Sequence, residues 1–273
     1  MIDRILVPTD LSDFAREACA WASFFHRRLG SRITLLFANE PYIPIDIVEL
    51  TAAYTFEANR DLEEKLAERL DAFADEVFPG MRQAVETMVV DAAPAPAIVD
   101  TAKKIGADLI LMGTHGRRGW RRALLGSVTE GVLRETDRPL MSVPSTGVQP
   151  ALERIVCPVN FTDIGRKGLE SAIALAEAFG AKVHAVHVAD PDDAEGDFGG
   201  RLEALVRDRC DCTWSVARGN AAEEVLRTAA EGKADLIVIG AQHKRFTDTT
   251  VLGTTTERVV RFARRPVWTV FGK

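Results

Sequence analysis

No apolar run in the chain approaches the length of a spanning helix, about 18 to 20 residues. A long apolar leader is also missing, because MIDRILVPTD reads as charged residues around a short strand rather than as a secretory signal. Contact with a membrane is therefore not expected, and the cytoplasm is the expected compartment. Positive charge is scarce overall, with 34 Lys and Arg against 40 Asp and Glu and a net charge of −6. A general attraction to nucleic acid or anionic lipid is accordingly not expected. Cysteine is sparse too. Cys19, Cys157, Cys210 and Cys212 are spaced neither as C-x2-C pairs nor as a small secreted scaffold, so they read as ordinary reduced thiols. His184 and His187 look like a ligand pair, but a strand sends residues three apart to opposite faces.

What the chain does have is length and hydrophobic content. At 273 residues and 47% hydrophobic it suits two domains of roughly 125 to 150 residues, each with its own core. A repeat supports that division. ILVPTDLSDFAREACAWA from Ile5 resembles IVCPVNFTDIGRKGLESA from Ile155, an offset of 150, whereas residues 107–143 match 234–270 at an offset of 127. The 23 extra residues of the first copy must lie between its second and third strands, in and around the segment PYIPIDIVELTAAYTFEAN from Pro41.

Each copy reads as the same series of elements. An apolar strand ends in a Pro-containing turn, and Ser12 or Thr162 is placed to cap the helix that follows. Phe14, Ala18, Trp21, Ala22 and Phe25 recur at helical spacing before Gly30, as do Ile164, Leu169, Ala172, Ile173 and Ala176 before Gly180. Second strands are predicted at 33–38 and 183–188, followed in copy one by a helix with Leu62, Leu66, Phe73 and Val77 as its buried stripe. Third strands at 85–90 and 214–217 lead to helices at 98–105 and 225–230. The runs ADLILMG and ADLIVIG are as apolar as strands buried on both faces require. PLMSV and PVWTV close the copies, and PSTGVQPALE joins them. Strands alternating with helices predict a parallel sheet covered on both sides.

In such sheets ligands bind beyond the carboxyl ends of the strands. The fourth-strand turn reads Gly113-Thr-His-Gly116-Arg-Arg-Gly-Trp-Arg-Arg-Ala-Leu-Leu-Gly126-Ser127, or G-x2-G-x9-G-S. Glycines let main-chain N–H groups approach phosphate oxygens, and a helix beginning at Gly126-Ser127 favours an anion at its start. Arg117, Arg118, Arg121 and Arg122 add positive charge suited to a polyphosphate. Two other readings stay open on the residues alone. Ser127-Val-Thr-Glu130 has the form of a capping box that needs no ligand, and Trp120 among arginines fits single-stranded nucleic acid. Asp10 is likewise placed either to meet a ligand or merely to cap a helix.

ILVPTD, GTHG, LLGSVTEGVL and RPLMSVP together resemble the universal stress proteins, in particular their ATP-binding subgroup, which carries G-x2-G-x9-G-[S/T] after the fourth strand. The resemblance runs through both halves. It implies two tandem Rossmann-like α/β domains, 1–146 and 151–273, each an open five-stranded parallel sheet ordered 3-2-1-4-5 with helices on both faces. It also implies ATP lying across strands one and four, accompanied by Mg²⁺ or Mn²⁺. Pro8, Thr9 and Asp10 would face the adenosine end, and Ala38 would offer main chain to the adenine. Met112, Gly113, His115, Gly116, Arg117, Gly126, Ser127 and Val128 would surround ribose and phosphates. Members of the family typically pair through the last strand, so the copies are expected to form an intrachain pseudo-dimer, with further homodimerisation left open.

The second copy departs from the pattern. His243 stands at the middle glycine between Gly240 and the pair Gly253-Thr254, and Asn160 replaces Asp10. A weakened or vestigial second site is expected. No Walker G-x4-G-K-[S/T], H-E-x-x-H or G-x-S-x-G is present, so no catalytic residue is assigned. The expected function is a stress-response or signalling protein whose nucleotide alters conformation or partners. A slow ATPase or adenylyl-transfer enzyme on the same cleft, with His115 as its acid or base, and a nucleotide-independent scaffold are the alternatives.

Overall fold

The computed structural model describes residues 2–40, 52–114, 125–189, 197–246 and 249–272. The first domain runs β1 (Arg4–Pro8), α1 (Asp13–Leu29), β2 (Arg32–Asn39), α2 (Ala52–Val77), β3 (Val85–Asp91), α3 (Pro94–Lys104), β4 (Leu109–Gly113), α4 (Ser127–Glu135) and β5 (Leu140–Val143). The second repeats the series as β6 (Arg154–Pro158), α5 (Asp163–Phe179), β7 (Lys182–Ala189), α6 (Phe198–Val206), β8 (Cys212–Arg218), α7 (Ala221–Glu231) and β9 (Leu236–Ala241). A hairpin, β10 (His243–Phe246) with β11 (Thr249–Leu252), then intervenes before α8 (Thr254–Phe262) and β12 (Val267–Phe271).

The strands form one sheet in the order β3-β2-β1-β4-β5-β12-β9-β6-β7-β8. Within each half the order is the expected 3-2-1-4-5, and all neighbours are parallel. The halves meet where β5 and β12 pair antiparallel, with Met141 opposite Trp268. These two residues occupy equivalent positions of the repeat, so a pseudo-twofold axis passes through them. The two sheets are thus continuous through their last strands, the pairing expected of an intrachain pseudo-dimer.

The central strands carry almost no polar side chain because both faces are covered. On one face α1, α2, α5 and α6 pack over Ile5, Leu35, Leu109 and Leu236, and on the other α3, α4, α7 and α8 pack over Leu6, Leu36, Ile110 and Ile237. Along α1 the residues Ala18, Trp21, Ala22 and Phe25 are buried. Gly30 ends the helix at φ 75°, a conformation that costs a residue without Cβ little, and its N–H donates to the oxygen of His26. Gly180 ends α5 in the same way at φ 71°. The first core crosses the seam. Phe24 stacks on Phe179 at 5.4 Å, and Phe25 meets Phe179 edge-on at 5.7 Å and Trp268 at 6.2 Å. Aromatic rings from both domains therefore share one apolar layer.

The stripe of α2 differs from expectation. Leu66 and Phe73 are buried, but Leu62 is 46% exposed, while Leu70, Ala74 and Phe78 complete the contact. Among the described side chains of the helix, burial begins at Leu66, one turn later than the leucine spacing implied. Much of the first copy's extra length is accounted for by this helix, since α2 has 26 residues where α6 has nine. All four cysteines are free thiols. Burial pushes Cys19 up to about 12 and Cys212 up to about 11, and lifts Cys157 further, which keeps these thiols protonated and unreactive. His184 and His187 lie on opposite faces as expected. His184 faces the α7 side between the hydroxyls of Thr213 and Ser215, at 2.9 Å from each, whereas His187 stacks on Phe198 of α6. Burial lowers the pKa of His184.

Candidate functional site

The carboxyl ends of β1 and β4 are adjacent because these strands pair, Ile5 with Leu109 and Leu6 with Ile110. After β1 the chain is tied down at once. Thr9 N–H donates to the oxygen of Leu36 (2.8 Å), and Leu11 N–H donates to Thr9 Oγ1 (3.0 Å). Leu11 then takes φ 61°, a left-handed conformation that costs a side-chain-bearing residue about 1 kcal/mol or more. That turn swings Asp10 out from the strand end. Its Oδ1 accepts from both the N–H and the hydroxyl of Ser12. Ser12 occupies the N-cap position of α1, but its side chain accepts no cap hydrogen bond. In the second domain Thr162 does cap α5, accepting from Gly165 N–H at 3.2 Å. Ala38, half-buried on β2, stands two residues past the Pro8–Leu36 pair and so borders the same opening.

The opposite wall comes from β4 and α4. Met112 and Thr114 are buried and Gly113 is half-buried. Thr114 N–H donates to the oxygen of Val143 (3.0 Å), and Gly126 N–H donates to the oxygen of Thr114 (2.8 Å). Thr129 Oγ1 reaches back to the oxygen of Gly113 (2.9 Å). These bonds fasten the start of α4 beside the end of β4. Gly126 is the N-cap, in extended conformation, and Ser127 is the first helical residue. The expected capping box therefore does not form, since that motif needs the serine at the cap itself. In the first turn the amides of Ser127 and Val128 have no intrahelical acceptor and carry the positive end of the helix dipole. Glu130 is paired with Arg134 one turn on, so its charge is balanced within the helix.

Pro8, Thr9, Asp10, Ala38, Met112, Gly113, Gly126, Ser127 and Val128 are thus gathered at one end of the sheet. His115, Gly116 and Arg117, together with Trp120 and the other loop arginines, lie outside the described residues. The sequence reading overlooked Thr114 and Thr129. The second of these was detectable, because Thr129-Glu130 and Thr256-Glu257 are identical in the repeat, and Thr256 Oγ1 likewise reaches the oxygen of Gly240 at 3.2 Å.

The second domain keeps the frame and changes the contents. Phe161 has φ 55°, matching Leu11, and Asn160 Oδ1 accepts from Thr162 N–H (3.3 Å) and Oγ1 (2.7 Å), matching Asp10. The turn therefore survives while its charge is lost. Gly253 caps α8 as Gly126 caps α4, with Thr254 the first helical residue. After β9 the backbone enters the β10–β11 hairpin, which holds His243 in a ladder opposite Leu252. The hairpin escaped the sequence reading, although Thr-Thr-Val-Leu has the β-branched content of a strand. The first motif glycine also has a packing role. A Cβ on Gly240 would run into the main-chain oxygen of Ile164 at the start of α5. Gly240→Ala is accordingly expected to lower stability by about 1 to 3 kcal/mol through overpacking, measured by urea unfolding; an unchanged midpoint would show that α5 can move aside at no cost.

Among the described residues no group of three or more His, Cys, Asp or Glu side chains is placed to hold a metal ion, and no helix is long and apolar enough to cross a membrane.

A family model described as the universal stress protein family matches residues 1–144 and 151–270. A universal stress protein of Methanocaldococcus jannaschii is 29% identical over 154 residues, covering 52% of this chain and 95% of that protein. One from Thermus aquaticus is 31% identical over 143 residues, again 52% of this chain and 99% of that protein. The crystal structure of a universal stress protein from Archaeoglobus fulgidus aligns over 99% of both chains with a TM-score of 0.78 at 24% identity, a likeness of fold.

Proposed function

The chain belongs to the universal stress protein family, and we propose on that premise that its first domain binds ATP and acts as a nucleotide-dependent switch in stress response or signalling. One observation carries the reading: Gly126, Thr114 and Thr129 lock the start of α4 against the end of β4, the strand that pairs with β1, from which the Asp10 turn emerges. A nucleotide fits what is there. Gly113 and Gly126 leave no side chain in the way, the Ser127 and Val128 amides suit phosphate oxygens, and Asp10 suits a ribose hydroxyl at the far end. Ala38 would offer main chain to the base. His115, Gly116 and Arg117 would close over the phosphates by virtue of their place in the motif. Mg²⁺ or Mn²⁺ would travel with the phosphates, as small hard cations do when a protein supplies few ligands of its own.

Protein denatured directly after purification is expected to release ATP, and the emptied protein to rebind it in a titration. Failure to bind ATP, ADP or any other nucleoside polyphosphate would leave the chain as a nucleotide-independent scaffold.

A further inference from the structure

Taken alone, α4 is a weak helix, although its start forms one wall of the cleft. It has nine residues, fewer than the ~12 to 15 at which an isolated helix becomes marginal, and Gly131 at its centre is a poor helix former. Its order therefore comes from what packs around it. At its start Gly126 and Thr129 tie it to β4. On one flank it lies against α3, so closely that a Cβ on Gly131 would run into Ala95. β11 of the second domain also lies against it.

That last contact crosses the seam between the domains. β11 is the returning strand of the hairpin that stands where the repeat predicts a glycine loop, and it ends at Leu252. Leu252 is the repeat counterpart of Leu125, and each directly precedes the N-cap glycine of its own helix. It is 4% exposed and sits in the apolar layer that holds Leu125, Val132 and Leu133 of the first domain. The main chain of His243 pairs with that of Leu252. The residue that replaces the middle motif glycine thus belongs to the ladder that fixes the backbone behind this leucine.

We infer that the second domain braces the first: Leu252 is a positioning residue that holds α4, and with it the amides of Ser127 and Val128, against the end of β4. If α4 loosens, a phosphate no longer meets fixed donors, and binding must also order the helix. The half that keeps the motif thereby depends on the half that departs from it. For ATP this role rests on the phosphate site proposed above; the bracing of α4 itself does not.

Hydrogen exchange on the nucleotide-free full chain tests the brace at the amides of Gly126 and Glu130, which donate to the oxygens of Thr114 and Gly126 at 2.8 and 2.9 Å. Leu252→Ala should speed exchange there by at least about fivefold, because truncation removes packing from one flank of the helix. Val225→Ala, which truncates a buried residue of the same layer carried on α7, is the control and should leave both amides at the parental rate. Titration with ATP should show binding at least about tenfold weaker for Leu252→Ala and unchanged for Val225→Ala. Leu252→Val, a smaller truncation that spares the fold, should shift both readouts the same way by less. Parental exchange at Gly126 and Glu130 in both Leu252 variants would overturn the inference, as would equal acceleration in Val225→Ala or parental ATP affinity despite loosened amides. A parent chain that binds no nucleotide would sink the ATP site and leave the exchange comparison to decide the brace.

Discussion

Gly126→Asp is expected to abolish ATP binding while leaving the protein folded and at least as stable as the parent. Gly126 caps α4 at φ −62° and ψ 142°, an ordinary extended conformation that aspartate adopts without strain. Aspartate is among the best N-cap residues, and its charge suits the positive end of the helix. The same charge is ruinous for a polyphosphate. A unit charge pair about 4 Å apart at an effective dielectric near 20 interacts by about 4 kcal/mol, roughly a thousandfold in affinity for one phosphate charge. Calorimetric titration and thermal unfolding read the two effects separately. The equivalent change Gly253→Asp, in the second domain, serves as the control and should leave ATP affinity alone. A folded Gly126→Asp protein with parental affinity would falsify the proposed location of the phosphates.

One tight ATP per chain is the second expectation. Both domains hold the strand-end turn, but Asn160 cannot supply the charge that Asp10 does, and the backbone at His243 is committed to the β10–β11 ladder. A charge-assisted hydrogen bond is worth roughly 1.5 to 3 kcal/mol, so two such losses weaken the second site by at least about a hundredfold. Placing the second domain's residue in the first, as Gly116→His, should weaken the tight site by a similar factor, because an imidazole takes the space a phosphate needs. An isotherm with two equivalent tight sites would defeat this expectation, and so would a Gly116→His protein that binds normally.

Much of this architecture could be read from residues before any coordinates. The repeat offsets located the inserted length between β2 and β3, and ADLILMG and ADLIVIG marked strands buried on both faces. What escaped was decided by contacts that periodicity does not encode. Leu62 follows the leucine spacing of α2, yet no core lies beneath it. Ser127 has the right neighbours for a capping box, but the bond from Gly126 to Thr114 shifts the cap by one residue. Ser12 sits at a cap position without accepting a cap bond, although Thr162 at the equivalent place does. The β10–β11 hairpin was hidden because the repeat suggested a glycine loop there. Asp10, Gly113 and Gly126 were legible because a short motif at a strand end has few structures open to it.

The pairing of Met141 with Trp268 bears on how such a molecule can change over generations. Two identical subunits meeting on a symmetry axis must present the same residue to each other, so every mutation there arrives twice. A fused chain escapes that doubling and can set a large side chain against a slender one, both of them buried here. The same freedom extends to the clefts. Once duplication is locked into one polypeptide, selection can keep the ligand chemistry of one half and let the other drift, without disturbing the joint that holds them together.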